Sequence, residues 1–525
     1  MRKTAVVYDK WLQSLGGGEV VACNIAKILH DNGYDVTFIC GKYVDRKIIK
    51  QKLDIDMSGI TILDVWSDEA RIKRISLGKD LFINLSFIDY IHGYSKNNLY
   101  YTHFPKKLYD NFRRMLISNF LLPLAAKFIK PIEFLSDVNI TSIKNNKPAY
   151  LLKKDNKLAV AYLDKNKTYV LEFSLFLEFF YKSLLESINV NTSGARIIEK
   201  KVNIKHSENQ VDFSLKIKPK STTVYLQLRI FNKKLETKEN NNIYLLYPKV
   251  KIWDRYSPIY KPIDQKINAR LRAGLFSNPL ERLKSYQTIL ANSNFTKKWI
   301  KNYWNRDSLV LYPPVEMMFK KYNLEKIKKK KWICSVGRFF VLGHGKKQEI
   351  LISAFKKFYD QGHSDWQLHL VGGIGNEPTS IKFIQKLKDA AKGYPIFFHF
   401  NVSRKEIEEV YLNSKIYWHA TGYGENENKN PIKFEHFGIT VLEAISAKCI
   451  PIIFEGGGLR ETVTENGFWD RNLFRNINQL VSNTSYYAKD FSNNILWDDI
   501  LQRIDSKYSI STFKNRFLEI LDKNN

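Results

Sequence analysis

Several features are scarce or missing in this chain, and each absence narrows its class. Cysteine occurs only four times in 525 residues, at Cys23, Cys40, Cys334 and Cys449. These positions are far apart, and three lie in or beside apolar runs, so we predict buried core thiols of a reducing compartment, without disulfides or a metal cluster. The sequence has no run of eighteen apolar residues, and its first apolar stretch is too short for a signal peptide. We therefore expect a cytosolic protein.

Low-complexity tracts are also missing. With 44% hydrophobic and 14% aromatic residues, the composition is that of folded domains and excludes extensive disorder. A chain of this length is too long for one hydrophobic core, so three domains are the natural expectation.

Negative charge is in short supply: the formal net charge is +30. No basic-aromatic binding motif or zinc-ligand spacing points to nucleic acid, so we expect none as a partner. An anionic membrane surface fits better, since lysines and arginines near such a surface each contribute about 1 kcal/mol. Segment 106–130 combines basic residues with an apolar run. It fits a helix in the membrane interface, and it fits equally well an amphipathic helix that covers a core.

Two regions show the rhythm of alternating strands and helices. A buried strand at 4–8, a glycine-rich turn at 15–19, a helix at 20–29 and a strand at 36–39 predict the opening of a doubly wound sheet. The same rhythm returns near residue 285 and again from strand 332–336 onwards. Between about 131 and 255 the pattern changes to period-two alternation with polar turns, as in 211–218 and 224–230, which is typical of an antiparallel sandwich.

The predicted fold class is therefore α/β, with two doubly wound Rossmann-like domains and an inserted antiparallel β-sandwich-like domain. We predict an N-terminal Rossmann-like domain from 1–130 plus 256–318, on the acceptor side, with the β-rich insert at 131–255. A C-terminal Rossmann-like domain on the donor side follows at 319–480. A helical segment at 481–525 is expected to pack back on the N-terminal domain. Ligands of such sheets bind at the carboxyl ends of the strands, here in the cleft between the domains.

The most informative stretch is 435–444, where two acids stand eight positions apart around Gly438. The glycine opens a predicted helix whose free backbone N–H groups favour an anion. Glu435 precedes the helix start, and Glu443 is placed on its first turn. Together they predict half of a nucleotide-sugar site, with amide donors for a diphosphate and carboxylates for sugar hydroxyls. The alternatives are that Glu443 forms a capping box with Thr440 and that Glu435 is an ordinary loop acid.

Cationic residues are predicted to converge on the same cleft. Arg338 follows Gly337 directly after a strand, and Lys346 with Lys347 precedes the next helix. Such cations would stabilise the charge that builds on a departing nucleoside diphosphate. The competing interpretation is that they are surface charges of a very basic protein.

The first domain offers weaker candidates. Gly17 and Gly18, in a glycine turn that ends with Glu19, could bring backbone close to a phosphate. His103 follows a strand and so points towards the cleft, although a lone histidine is as often structural. His419, after a later strand, lies on the ligand side by the same argument.

These motifs occur in an order that resembles a known family. The glycine turn, the 101–105 motif, the 335–339 motif with Lys346, and the paired acids resemble the retaining family-4 glycosyltransferases of GT-B fold. The resemblance covers about 1–130 and 260–480. It says nothing about the 131–255 insert.

The resemblance implies roles for individual residues. Arg338 and Lys346 would bind the donor diphosphate, with Lys347 as the alternative lysine, and His103 would sit near the reacting sugar. Glu435 would contact the sugar hydroxyls and Glu443 the ribose. The other expected donor-binding residues are backbone-rich positions: Gly17, Gly18, Gly337, Phe437, Gly438, Ile439 and Thr440. In this family the leaving phosphate is thought to accept the acceptor's proton in a same-face attack, so no cofactor or metal is expected.

The resulting hypothesis is an enzyme at the cytoplasmic face of a membrane. It moves a hexose from a nucleotide-diphosphate sugar to a growing, lipid-linked surface glycan, with retention. The insert is either a glycan-binding module or a structural element. A sugar-nucleotide epimerase of GT-B fold and a non-catalytic glycan-binding subunit remain as alternatives.

Overall fold

The computed structural model describes residues 2–65, 69–108, 133–135, 140–144, 147–152, 157–161, 163, 165–166, 168–177, 188–205, 210–221, 224–230, 243–253, 279–339, 345–374, 378–489 and 495–523. Most of the segment 106–130 lies outside these residues, so its predicted membrane contact stays a prediction.

A seven-stranded parallel sheet forms the centre of the first α/β unit. Its strands are β1 (Thr4–Asp9), β2 (Asp35–Cys40), β3 (Thr61–Asp64), β4 (Leu81–Asn84), β5 (Asn97–Thr102), β16 (Thr288–Ala291) and β17 (Leu309–Val310). The order across the sheet is β17-β16-β5-β4-β1-β2-β3, with parallel pairing throughout. Its central strands are almost continuously buried because helices cover the sheet. Strand β17, at the edge of the sheet, is only two residues long.

The helices of this half follow the predicted rhythm. They are α1 (Gly17–Asp31), α2 (Arg46–Leu53), α3 (Glu69–Ser76), α4 (Pro279–Leu283), α5 (Asn294–Trp304) and α6 (Met318–Lys321). Helix α1 starts three residues earlier than the apolar spacing predicts, at the glycine turn itself. Helix α5 begins after Ser293, whose hydroxyl accepts a hydrogen bond from the N–H of Thr296 at 3.0 Å.

A second parallel sheet has six strands. They are β18 (Lys330–Val336), β19 (Gln367–Gly372), β20 (Ile396–Phe400), β21 (Ser414–His419), β22 (Ile450–Phe454) and β23 (Leu473–Phe474), in the order β20-β19-β18-β21-β22-β23. The helices that cover it are α7 (Gln348–Asp360), α8 (Pro378–Ala391), α9 (Arg404–Asn413), α10 (Ile439–Ser446), α11 (Leu459–Thr464) and α12 (Ile477–Lys489). Two Rossmann-like α/β units are thus present, as the sequence predicts.

Ten described strands, inserted along the chain between β5 and β16 of the first sheet, form two antiparallel sheets. They are β6 (Glu133–Leu135), β7 (Ile140–Lys144), β8 (Lys147–Leu152), β9 (Lys157–Ala161), β10 (Thr168–Leu177), β11 (Ile188–Ser193), β12 (Ala195–Lys205), β13 (Gln210–Pro219), β14 (Val224–Ile230) and β15 (Ile243–Trp253). One sheet has the order β12-β13-β10-β15-β8-β7 and the other β11-β14-β9-β6. Side chains of β13 alternate between buried and partly exposed, as its period-two pattern predicts. Packing of the two sheets into a sandwich stays a prediction, as do the boundaries of the insert.

The final helices connect the two α/β units. Helix α13 (Trp497–Tyr508) packs in the core of the second unit, where Ile504 and Tyr508 are buried. Helix α14 (Ile510–Asp522) instead places Phe513 and Phe517 in the core of the first unit, beside Val7. The chain therefore returns to its first domain only after residue 509.

Two predictions from composition can be compared with this fold. All four cysteines are buried and free, as expected for core thiols. No helix in the described part of the chain is both long enough and apolar enough to cross a bilayer.

Candidate functional site

The glycine turn of the first domain is held by its own acid. The carboxylate of Glu19 accepts hydrogen bonds from the N–H of Gly16 at 2.6 Å and from the hydroxyl of Ser14 at 2.7 Å. Gly17 and Gly18 then form the first two positions of α1, where backbone N–H groups have no partner within the helix. Glu19 therefore stabilises the turn, and the turn presents a helix start at the carboxyl edge of the sheet.

This turn lies against the second domain. A Cβ atom on Gly17 would lie 3.0 Å from Cδ1 of Ile439, and one on Gly16 would lie 3.9 Å from a guanidinium nitrogen of Arg338. On the other side, a Cβ on Gly18 would lie 3.2 Å from the ring of His103. Predicted site residues of both domains thus meet at one place in the cleft.

Arg338 and Lys346 are brought together by the end of β18 and the start of α7. The amide of Gln348, the first residue of α7, donates to the carbonyl of Arg338 at 3.2 Å. The stem of Lys346 passes directly over Gly337, where a Cβ would lie 2.7 Å from its Cγ. Lys347 turns elsewhere, since its ammonium lies 3.6 Å from the carboxylate of Glu425. Of the two neighbouring lysines, Lys346 is the one that contacts Glu435.

Glu435 stands just before the start of α10 and contacts both Lys346 and His419. Its Oε2 accepts a hydrogen bond from the ammonium of Lys346 and lies 3.0 Å from Nε2 of His419. Both Lys346 and Glu435 are only about one-seventh exposed, with side-chain values of 15% and 14%. His419 is fully buried, and burial holds its pKa below the usual range against the opposing effect of Glu435. The interpretation of Glu435 as an ordinary loop acid does not describe this environment.

A chain of polar contacts continues from His419 into the helix. The hydroxyl of Tyr417 lies 3.4 Å from Nδ1 of His419 and donates to Oγ1 of Thr440 at 2.8 Å. Thr440 is the second residue of α10. This hydrogen bond ties its side chain to Tyr417 on strand β21. Its hydroxyl does not cap the helix, because the cap position belongs to Gly438.

Helix α10 begins with an uncapped glycine. Gly438 has φ +104°, in the left-handed region that glycine adopts most readily, and among the described residues no side chain caps the helix. The loop before it rests on Gly458, whose N–H donates to the carbonyl of Glu435 at 2.8 Å and whose Cβ, if present, would collide with the carbonyl oxygen of His436. The glycine triplet after β22 thus allows the Glu435 loop to pack closely.

Phe437 is buried against Tyr312 at 5.6 Å between ring centroids, so only its backbone faces the site.

Glu443 has partners that the sequence alone did not reveal. Its carboxylate accepts hydrogen bonds from Nη1 of Arg404 at 2.7 Å and from the hydroxyl of Tyr411 at 3.1 Å. The capping-box alternative is therefore wrong, and Glu443 lies one turn deeper in the helix than expected. Arg404 is the first residue of α9, at the carboxyl edge of β20. That position after a strand was a signal that could have identified it.

His103 is partly buried beside the turn. Its Nε2 lies 3.0 Å from the carbonyl oxygen of Leu85, and burial lowers its pKa to about 4. At neutral pH the ring is uncharged, and its Nε2–H donates to that carbonyl. The next residue, Phe104, stacks on His436 of the second domain at 4.2 Å between centroids. This contact anchors the first domain against the Glu435 loop.

Comparisons with known proteins bear on the family of the second unit and on the fold. Residues 318–494 match the family described as Glycosyl transferases group 1, a match that covers about one third of the chain and includes the second parallel sheet with Arg338, Lys346, Glu435 and Glu443. No curated protein matches the sequence significantly.

Solved structures provide a likeness of fold. The chain is similar to Anabaena Alr3699/HepE in complex with UDP and glucose, with a TM-score of 0.50 and 11% identity over 99% of this chain and 100% of that one. It also matches a UDP-forming trehalose-phosphate synthase from Burkholderia xenovorans, at a TM-score of 0.34 and 12% identity over 46% of this chain and 62% of that one. At 11% identity the likeness to the Anabaena structure concerns the fold alone, with two Rossmann-like units as in the GT-B fold.

Proposed function

We propose that this protein is a retaining glycosyltransferase that moves a hexose from a nucleotide-diphosphate sugar to a glycan acceptor. The observation that carries the proposal is the cluster of Lys346, Glu435 and His419 at the uncapped start of α10, opposite the glycine turn. This cluster lies within the segment that matches the group 1 glycosyl transferases.

The donor diphosphate would lie between Arg338 and Lys346, at the start of α10. Charge builds on the leaving oxygen as the glycosidic bond breaks, and preplaced cations with helix N–H groups stabilise that state selectively. Lys346 is paired with Glu435. A bound diphosphate would then share the ammonium, and Glu435 would remain positioned to accept hydrogen bonds from sugar hydroxyls.

Glu443 would hold the ribose, with Arg404 and Tyr411 fixing its carboxylate. His103 is neutral at physiological pH, so it would contact the sugar without adding charge. The leaving phosphate would accept the proton of the attacking acceptor hydroxyl on the same face. The proposal assigns charge stabilisation to Arg338 and Lys346 and includes neither a metal nor a cofactor.

The test is release of nucleoside diphosphate from a panel of nucleotide sugars, with and without glycan acceptors. UDP-glucose is the first donor to try, because a structure of similar fold holds UDP and glucose. Release that depends on an acceptor, with a product whose glycosidic linkage keeps the anomeric configuration of the donor, supports the retaining transferase. Release that leaves a converted free sugar supports the epimerase instead. Absence of turnover, together with intact glycan binding, supports a non-catalytic subunit.

The acceptor is proposed to be lipid-linked and to be met at the inner face of the cytoplasmic membrane. The net charge of +30 supports this location, because it favours an anionic surface. Sedimentation with phosphatidylglycerol vesicles should fall steeply as salt is raised. If the fraction of protein that sediments with the vesicles does not change with salt concentration, the electrostatic basis of this proposal is wrong. The β-rich region inserted between β5 and β16 is proposed to hold the growing glycan.

A further inference from the structure

Trp11 is an exposed aromatic residue that the mechanism above does not use. It lies two positions beyond β1, in the loop that leads to the glycine turn, and 42% of its surface is exposed. Trp469 is a second exposed tryptophan, with 68% of its surface exposed. An exposed indole beside a ligand cleft calls for an explanation, since large aromatic rings are normally buried.

The indole of Trp11 is fixed in orientation. Its Nε1–H donates to the carbonyl of Phe87 at 3.3 Å, and its backbone N–H donates to Asp9 at 3.0 Å. The ammonium of Lys10 lies over the ring, 5.4 Å from its centroid, and is itself held by Asp89 at 3.3 Å. The Lys10 ammonium therefore covers one face of the ring. The indole N–H already has a hydrogen-bond acceptor, so the exposed surface of the ring is apolar.

The loop that carries Trp11 belongs to the acceptor side of the proposed reaction. Strands β1, β4 and β5 end beside one another in a parallel sheet, and their carboxyl ends lead to Trp11, Phe87 and His103. From there the chain continues into Gly16 and Gly17, which approach Arg338 and Ile439. An acceptor that reaches the sugar held at α10 must pass this edge of the first domain.

We infer that Trp11 is a stacking platform for a pyranose ring of the acceptor glycan, and this inference rests on the proposed function. A sugar ring has an apolar face of C–H groups that matches an immobilised indole, and the ring's hydroxyls stay in water or reach polar neighbours. An exposed tryptophan can also enter a membrane interface. The fixed N–H bond and the position at the cleft edge favour the sugar, because an interfacial indole uses its N–H at the headgroup level.

The test is saturation-transfer difference NMR on the full chain with three probes: methyl α-D-glucopyranoside, methyl α-D-galactopyranoside and methyl α-D-mannopyranoside. We expect at least one probe to give a signal that is strongest on the protons of one ring face. Trp11→Ala should reduce that signal by about fivefold or more, and Trp11→Phe should retain most of it. Trp469→Ala is the matched control. It removes an exposed indole that lies before the amino end of β23, away from the cleft, and should leave the signal unchanged.

Equal signals in the wild type and Trp11→Ala, or no signal from any probe with the wild type, would overturn the platform. So would a Trp11→Ala variant that keeps the sugar signal and loses sedimentation with phosphatidylglycerol vesicles, because the residue would then be a membrane contact. The proposed function is checked separately in the same samples, by the rise in melting temperature with UDP-glucose and the other donors. If no donor gives a rise while the Trp11-dependent sugar signal persists, the donor assignment fails and the carbohydrate site stands.

Discussion

Removal of the Glu435 carboxylate is the sharpest test of the site. In Glu435→Ala, Lys346 and His419 lose their shared partner in a setting that is about 85% buried. An exposed ion pair contributes about 0–1 kcal/mol, and breaking a buried pair costs about 3–5 kcal/mol, so a loss of about 2 kcal/mol in the free energy of unfolding is expected. For a domain of this size that corresponds to a melting temperature about 4–8 °C lower.

The effect on catalysis should be larger than the effect on stability suggests. A hydrogen bond from a sugar hydroxyl to a carboxylate contributes about 1.5–3 kcal/mol, so turnover should fall by about 10- to 100-fold. Glu435→Gln keeps the shape and an accepting oxygen but removes the charge, so it should lower turnover and reduce the melting temperature less than Glu435→Ala does.

The assay pairs nucleoside diphosphate release from the active donor with thermal unfolding of each variant. Glu325→Ala is the control, because it removes an 80% exposed carboxylate that pairs with Lys448 away from the cleft. Its turnover and melting temperature should match the wild type. A Glu435→Ala variant that retains turnover within about threefold, at an unchanged melting temperature, would refute the role of this residue.

Three further predictions follow from local geometry. Gly438→Ala should lower the free energy of unfolding by about 1–3 kcal/mol in urea, because φ is +104° and the new methyl would lie 2.6 Å from Cδ2 of Leu459. Arg404→Gln should raise KM for the nucleotide sugar more than it lowers kcat in steady-state kinetics, because it releases the carboxylate of Glu443 from its fixed position. Burial lowers the pKa of His103 to about 4, so its neutral form stabilises the fold above about pH 6.5. That contribution should be lost as the pH falls towards 4, in thermal unfolding scans from pH 7.5 to 4.

Each of these predictions has an internal comparison. Gly393→Ala also places a side chain at positive φ, +82°, but meets open space, so it isolates backbone strain from collision. If Gly438→Ala is no worse than Gly393→Ala, the packing argument is wrong. Arg404→Lys should restore only part of the affinity, and equal KM values in all three proteins would contradict the prediction. His103→Gln should flatten the pH dependence of unfolding, and an unchanged slope would assign the acid sensitivity to other groups.

The fold was predictable wherever burial and local pattern agree. Strands such as β1, β4 and β22 are buried over most of their length, which gives the continuous apolar runs that identify parallel strands. The division of the β-rich region into two sheets was not predictable. Pairs such as β10 with β15 join residues about eighty positions apart, and no local pattern encodes that choice of partner.

The same limit applies to the site. Glu435 and Lys346 could be proposed because each stands next to a strand end or helix start. The contact of Glu443 with Arg404 depends on α9 and α10 lying on one face of the sheet, and thirty-nine positions separate the two residues. The orientation of Trp11 depends on Phe87 and Asp89, which come from another strand end. Side chains that position other side chains through tertiary contacts leave no signature in a single sequence.

The packing of α14 has a consequence for how this protein is made. Phe513 and Phe517 complete a core whose other members, such as Val7, belong to the first strands to emerge from the ribosome. At about 5–20 residues per second, the interval between synthesis of β5 and of this helix is roughly 20–80 s. During that interval the nascent first domain carries an unfilled apolar groove. The first unit therefore completes its core only after the second unit has been synthesised.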